Sequence, residues 1–93
     1  MIHELFAIIQ DRKANPKPGS YTNSLFEMGE DKILKKVGEE AMEVILAAKA
    51  QGKQRIIEEV SDLFYHTLVL LASKDVTLDE IEAELRKRHG TPH

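Results

Sequence analysis

Apolar side chains recur at three- and four-residue intervals along most of the 93-residue chain, and this spacing predicts helices. Ile2, Leu5, Phe6 and Ile9 share one face of a first helix. It is expected to end near Ala14, because Asn15-Pro16-Lys17-Pro18-Gly19 cannot continue it. Ser20 or Thr22 can cap a short helical piece over Ser24 to Met28, stopped by Gly29. A main helix starts near Glu30 or Asp31, with Ile33, Leu34, Val37, Ala41, Val44, Ile45 and Ala48 as a wide apolar stripe. Gln51-Gly52 marks its exit. The next helix runs from about Gln54 to Ser73, with Ile56, Ile57, Val60, Leu63, Phe64, Thr67, Leu68 and Leu71 as its apolar face. From Leu63 onward it is apolar nearly all round, which demands cover on several sides, within one bundle or across a dimer. After a turn at Lys74-Asp75, Thr77-x-x-Glu80 reads as a capping box. It opens a last helix with Leu78, Ile81 and Leu85 inward. Arg86, Lys87 and Arg88 suit that helix's negative end, and Gly90-Thr91-Pro92 closes it with a frayed look. No strand pattern, repeat or low-complexity segment appears. The expected class is all-α: one domain over residues 1–93, an antiparallel bundle of about four to five helices.

Composition narrows the function. A domain this small buries a modest core and gains from a partner subunit. The net charge of −3 argues against a dedicated nucleic-acid binder. The absence of cysteine excludes disulfides and thiolate-bound zinc. The opening MIHELFAIIQDRK is too short and too acidic for a signal peptide. The longest apolar run, Thr67 to Ala72, falls far below the ~20 residues of a membrane span. A soluble cytoplasmic protein without nucleic-acid or membrane partners is expected.

Candidate chemistry sits on the two long helices. Glu39-Glu40-x-x-Glu43 and Glu58-Glu59-x-x-Asp62 are acidic clusters beside apolar stripes. At ~100° per residue, Glu40 and Glu43 lie about 60° apart at the stripe's edge, and Arg55, Glu59, Asp62 and His66 fall within about 60° of one another. Antiparallel packing about Gly52 places Glu43 nine residues before the turn and Glu59 seven after, Glu40 twelve before and Asp62 ten after. The pairs therefore share a level. Four carboxylates at one level repel unless solvated or neutralised by cations. All-oxygen donors favour Mg²⁺ or Mn²⁺ over zinc or copper, held together with substrate phosphates. Lys32, Lys35, Lys36 and Arg55 are candidate phosphate contacts.

Plainer readings stand beside this one. Glu-rich helical faces are usually solvated surface, and Glu39 and Glu58, which point further from the shared site, are read mainly as that or as supports behind the residues nearest an ion. His66 reads as a buried, hydrogen-bonded histidine or as a residue that steadies the cluster from behind, and Tyr65 as packing. Lys17 and the Arg86-Lys87-Arg88 run are solvated by default. A di-iron bundle ranks below magnesium, because neither cluster carries a histidine three residues on.

The EExxE…ExxD pattern resembles that of the MazG-like all-α nucleotide pyrophosphohydrolases. Its context, "SYTNSLFEMGEDKILKKVGEEAMEVILAAK" and "EEVSDLFYHTLVLL", resembles the phosphoribosyl-ATP pyrophosphohydrolase family over Leu5 to Arg88. The resemblance implies Mg²⁺-dependent hydrolysis of phosphoribosyl-ATP to phosphoribosyl-AMP and pyrophosphate, the second step of histidine biosynthesis. It implies Glu40, Glu43, Glu59 and Asp62 as metal ligands, Glu39 as a lesser contributor, and a homodimer. Glu40 or Glu43 would orient or deprotonate the attacking water. Ser20, Tyr21 and Thr22 read as a loop able to close on the substrate. With no fused cyclohydrolase domain in the sequence, a stand-alone form is expected. A house-cleaning nucleoside triphosphate pyrophosphohydrolase of the same fold and a non-enzymatic helical dimerisation module remain alternatives.

Overall fold

A computed structural model describes residues 1–90. It contains α1 (Ile2–Ala14), α2 (Tyr21–Met28), α3 (Glu30–Ala50), α4 (Lys53–Ser73) and α5 (Leu78–His89). Among the described residues there is no strand, so the all-α class holds. The 21-residue helices α3 and α4 form an antiparallel hairpin about Gln51 and Gly52. Gly52 adopts φ 84°, a conformation that costs glycine little and other residues more, so the reversal can be this tight. α5 opens with the expected capping box: the Thr77 side chain accepts from the Glu80 N–H, and the Glu80 carboxylate accepts from the Thr77 N–H at 2.9 Å. Gly90 follows α5 at φ 69°, and the rest of the expected frayed end lies outside the described residues.

One element starts earlier than its sequence signals suggest. α2 begins at Tyr21, not Ser24. Ser20, rather than Thr22, is the cap, its hydroxyl accepting from the Asn23 N–H at 3.3 Å. Tyr21 and Thr22 therefore stand in the first turn of a helix, not in a loop. Asn23, buried, fastens that turn: its Oδ1 accepts from the Lys17 N–H and its Nδ2 donates to the Arg12 carbonyl, both at 2.7 Å.

The core lies at one end of the hairpin. Phe6 and Ile9 of α1, Leu25 of α2, Ile33 of α3, and Leu68, Val69 and Ala72 of α4 pack there, with Leu5, Phe26, Leu71 and Leu78 at the margin. α1 is tied across the α4 C-terminus, where Lys13 Nζ donates to the Ala72 carbonyl and to Asp75, each at 2.9 Å. Towards the Gly52 end, α3 and α4 cover only each other.

That thinness corrects several expected core positions. In α3, Leu34 is 45% exposed, Ile45 61%, and Ala48 is exposed, whereas Ala47 is fully buried. In α4, Ile57 and Phe64 are half exposed. In α5, Leu85 is also half exposed, and no α5 residue is buried. The apolar stripes are wider than one partner helix can cover, so half of each faces outward. Among the described residues, no helix is long and apolar enough to cross a membrane.

Candidate functional site

Just beyond the core, polar residues enter the hairpin interface. Carboxylate oxygens of Glu40, Glu59 and Asp62 all lie within 4.8 Å of one another. Glu40 and Glu59 are buried and Asp62 is exposed at the mouth. The helical phase explains the grouping. Glu59 and Asp62 are three residues apart on one face of α4, and Glu40 is the α3 carboxylate that turns towards them. Glu43, one turn nearer Gly52, is partly buried and lies outside this group, although the hairpin count had set it level with Glu59. It remains near enough for its charge to act on Glu59.

The cluster is electrostatically uncomfortable. Burial pushes the Glu59 carboxyl above its ordinary value; Arg55 opposes this, while Asp62, Glu40 and Glu43 add to it. Two cations compensate. Arg55 Nη2 donates to Glu59 at 2.5 Å and Nη1 to Glu58 at 2.5 Å. Lys36 Nζ lies 3.3 Å from Glu40 and 4.0 Å from Glu39. Partial burial pulls the Lys36 ammonium down, but its bond to Glu40 and the nearby negative groups hold it above its usual value. The carboxylate oxygens of Glu40, Glu59 and Asp62 still converge within 4.8 Å, a concentration of negative charge that a cation would neutralise further. An all-oxygen donor set suits a hard divalent cation.

Outside the cluster, a concavity of about 670 Å³ is lined by Lys35, Lys36, Gly38, Glu39, Glu40 and Glu43, with Met42. Every one of these residues comes from α3, so the concavity has a single wall. Lys32, one turn before Lys36, is partly buried and does not line it. Gly38 was not singled out in the sequence. A glycine inside a strongly helical stretch was the available signal, since glycine weakens a helix interior.

His66 is buried one turn beyond Asp62. Its Nδ1 lies 2.8 Å from the Asp62 carbonyl oxygen, and its Nε2 lies 3.1 Å from the Tyr21 hydroxyl. Thr22 is occupied, its hydroxyl bonded to the Tyr65 phenol. Tyr21 and Tyr65 stack with centroids 6.2 Å apart, and each meets the His66 ring edge-on.

Fold and site together define an all-α protein with a carboxylate cluster able to hold a divalent cation beside lysines and an arginine. Residues 2–89 match the family described as Phosphoribosyl-ATP pyrophosphohydrolase, and the chain belongs to that family. It is 59% identical over 90 residues to a Phosphoribosyl-ATP pyrophosphatase of Listeria monocytogenes serotype 4a, covering 97% of this chain and 86% of that one. It is 56% identical over 89 residues to the Clostridium acetobutylicum protein of the same name, covering 96% and 81%. It is also 55% identical over 89 residues to the Histidine biosynthesis bifunctional protein HisIE of Caldanaerobacter subterraneus subsp. tengcongensis, covering 96% of this chain and 43% of that protein.

Proposed function

We propose that the chain hydrolyses phosphoribosyl-ATP to phosphoribosyl-AMP and pyrophosphate, the second step of histidine biosynthesis, with Mg²⁺ or Mn²⁺ bound by its acidic cluster. The observation that carries this is the convergence of Glu40, Glu59 and Asp62 in a chain matching the family over residues 2–89. These three carboxylates hold the cation, with Glu43 joining them from the rim. The cation, when bound, neutralises triphosphate charge and stabilises the departing pyrophosphate.

The remaining roles belong to the chain's own side chains. With a cation in the cluster, Lys36 and Arg55 are no longer needed as counter-charges for Glu40 and Glu59 and turn to substrate phosphates. Lys35 faces the concavity and supplies a further cation, and Lys32 stands one turn behind. Glu43, outside the tight group, keeps a carboxylate oxygen free to orient the attacking water and accept its proton. Glu40 shares the catalytic role by fixing the cluster against the water-bearing rim.

The site is completed by a second copy of the chain. The support is the single-walled concavity and the half-exposed Met42, Ile45, Leu46, Ile57 and Phe64 on the same hairpin.

The test is pyrophosphate release from phosphoribosyl-ATP, with and without Mg²⁺, alongside a panel of nucleoside and deoxynucleoside triphosphates. Metal-dependent release from phosphoribosyl-ATP alone is expected. Release from deoxynucleotides but not from phosphoribosyl-ATP points instead to a house-cleaning enzyme, and no release from any of them to a dimerisation module.

A further inference from the structure

Tyr21, on the first turn of α2, combines two properties. It is 52% exposed, yet its side chain is held at three points. Its hydroxyl meets His66, one face of its ring lies against Tyr65, and its edge meets the His66 imidazole. The ring does not need ordering before it can receive a ligand, which removes much of the entropic cost of using it as a contact surface.

Its location is equally specific. On one side, Tyr21 connects through His66 to the Asp62 backbone carbonyl. On the other side it walls a concavity of about 390 Å³ between the α1–α2 connection and α2. Tyr21 therefore stands one hydrogen-bonded residue from Asp62, a member of the carboxylate cluster, and also lines an open concavity. A nucleotide whose polyphosphate lies at the cluster carries its base away from it, and a base presents a π-face that stacks on an aromatic ring.

We propose that Tyr21 is the stacking platform for the purine of the substrate, backed by Tyr65 and locked by His66. The inference rests on the reading of the chain as a phosphoribosyl-ATP hydrolase. The base lies on the open side of the Tyr21 ring, and its ribosyl phosphate arm extends into the α1–α2 concavity. Tyr21 contributes to binding the nucleoside part and leaves bond cleavage to the acidic cluster.

The experiment compares wild type, Tyr21→Leu and Tyr21→Phe by calorimetric titration with AMP and with Mg²⁺-pyrophosphate, and by steady-state kinetics on phosphoribosyl-ATP. Circular dichroism melts check that each variant is folded. Tyr21→Leu is expected to weaken AMP binding and raise KM by roughly tenfold or more, the scale of one base–aromatic stack. Its kcat and its pyrophosphate affinity stay near wild type. Tyr21→Phe keeps the ring and restores AMP affinity despite losing the bond to His66. Unchanged AMP binding in a folded Tyr21→Leu overturns the inference, as does equal loss of AMP and pyrophosphate binding, which marks a merely structural residue. Tyr21→Phe as defective as Tyr21→Leu overturns it too. Absence of wild-type turnover overturns the functional reading and the inference with it, whereas normal turnover without discrimination at Tyr21 overturns the inference alone.

Discussion

The Tyr21 hydroxyl lies 3.1 Å from His66 Nε2, and the direction of its proton is set on the other side of the ring. His66 Nδ1 faces the Asp62 carbonyl at 2.8 Å, and a carbonyl only accepts. In the neutral ring Nδ1 therefore carries the hydrogen, and Nε2 accepts from Tyr21. Long-range ¹H–¹⁵N spectra of histidine-labelled protein should show the Nδ1-protonated tautomer. Tyr21→Phe removes the donor to a buried acceptor and should cost about 1 kcal/mol in urea unfolding.

Burial, reinforced by Asp62, Glu40 and Glu43, disfavours the charged Glu59 carboxylate more than Arg55 favours it, so its negative charge weakens the cation-free fold. Glu59→Gln keeps the shape and leaves Arg55 its contact with Glu58. Without divalent ions, this variant should melt no lower than wild type. Adding Mg²⁺ should raise the wild-type melting temperature and leave the variant's unmoved. Metal affinity should fall by at least about 10- to 100-fold, the usual loss for perturbing a metal site even one shell out. A variant markedly less stable than metal-free wild type would contradict the crowded-charge account.

Asn23 spends both ends of its amide on backbone groups, one in the last turn of α1 and one within the Pro-rich connection. Asn23→Ala should destabilise by about 1–3 kcal/mol, the range for stranding buried polar groups. Asn23→Asp should cost more, because a carboxylate cannot donate to the Arg12 carbonyl and brings a charge into a buried place. Chemical denaturation midpoints of the two variants give the order directly.

Glu80 yields a pH prediction. Its bonds from the Thr77 N–H and hydroxyl hold its carboxyl below the ordinary 4.5. A lowered folded value means that the charged form is favoured by the fold. The contribution is therefore complete above the unfolded value and is lost as pH falls through the folded one. NMR signals of α5 should show fraying on acidification below that range before the α1–α4 core responds. Glu80→Gln should abolish the pH sensitivity of that fraying.

If a second copy covers the hairpin, a charge in the outward stripe will block it. Ile45→Glu and Phe64→Glu replace half-exposed apolar residues and should leave the isolated fold intact. Sedimentation should find wild type at twice the chain mass and both variants at, or shifted towards, the single-chain mass. Wild type sedimenting as a single chain at micromolar concentration would rule out the paired site.

Much of this was legible in the sequence because particular residues have few alternatives. Pro16 and Pro18 end α1, Gly52 turns the hairpin, and Thr77 with Glu80 opens α5; each acts locally and needs no tertiary context. Counting outward from Gly52 set Glu40 near the level of Asp62, and these two do meet, together with Glu59 but without Glu43. What escaped depended on neighbours. Periodicity marks a broad apolar face on α3 but cannot divide it between α4 and the outside, so Ala48 and Ile45 were assigned inward and Ala47 was missed. Glu43 and Glu40 differ by less than one helical turn, and only packing decides which one meets Glu59. Ser20 and Thr22 are both competent caps, and the choice of Ser20, which makes Tyr21 helical, is secured by Asn23.

The tight reversal at Gly52 also governs how the chain finds its shape. The contacts between α3 and α4 begin a few residues apart and zip outward, with little loop entropy to overcome. Hairpin formation should therefore be fast and first order. If a second copy closes the single-walled concavity, as proposed, that step is an encounter between two chains and alone accelerates with protein concentration. Refolding followed by helix signal and by recovery of activity should separate into these two phases, with catalysis always the later arrival.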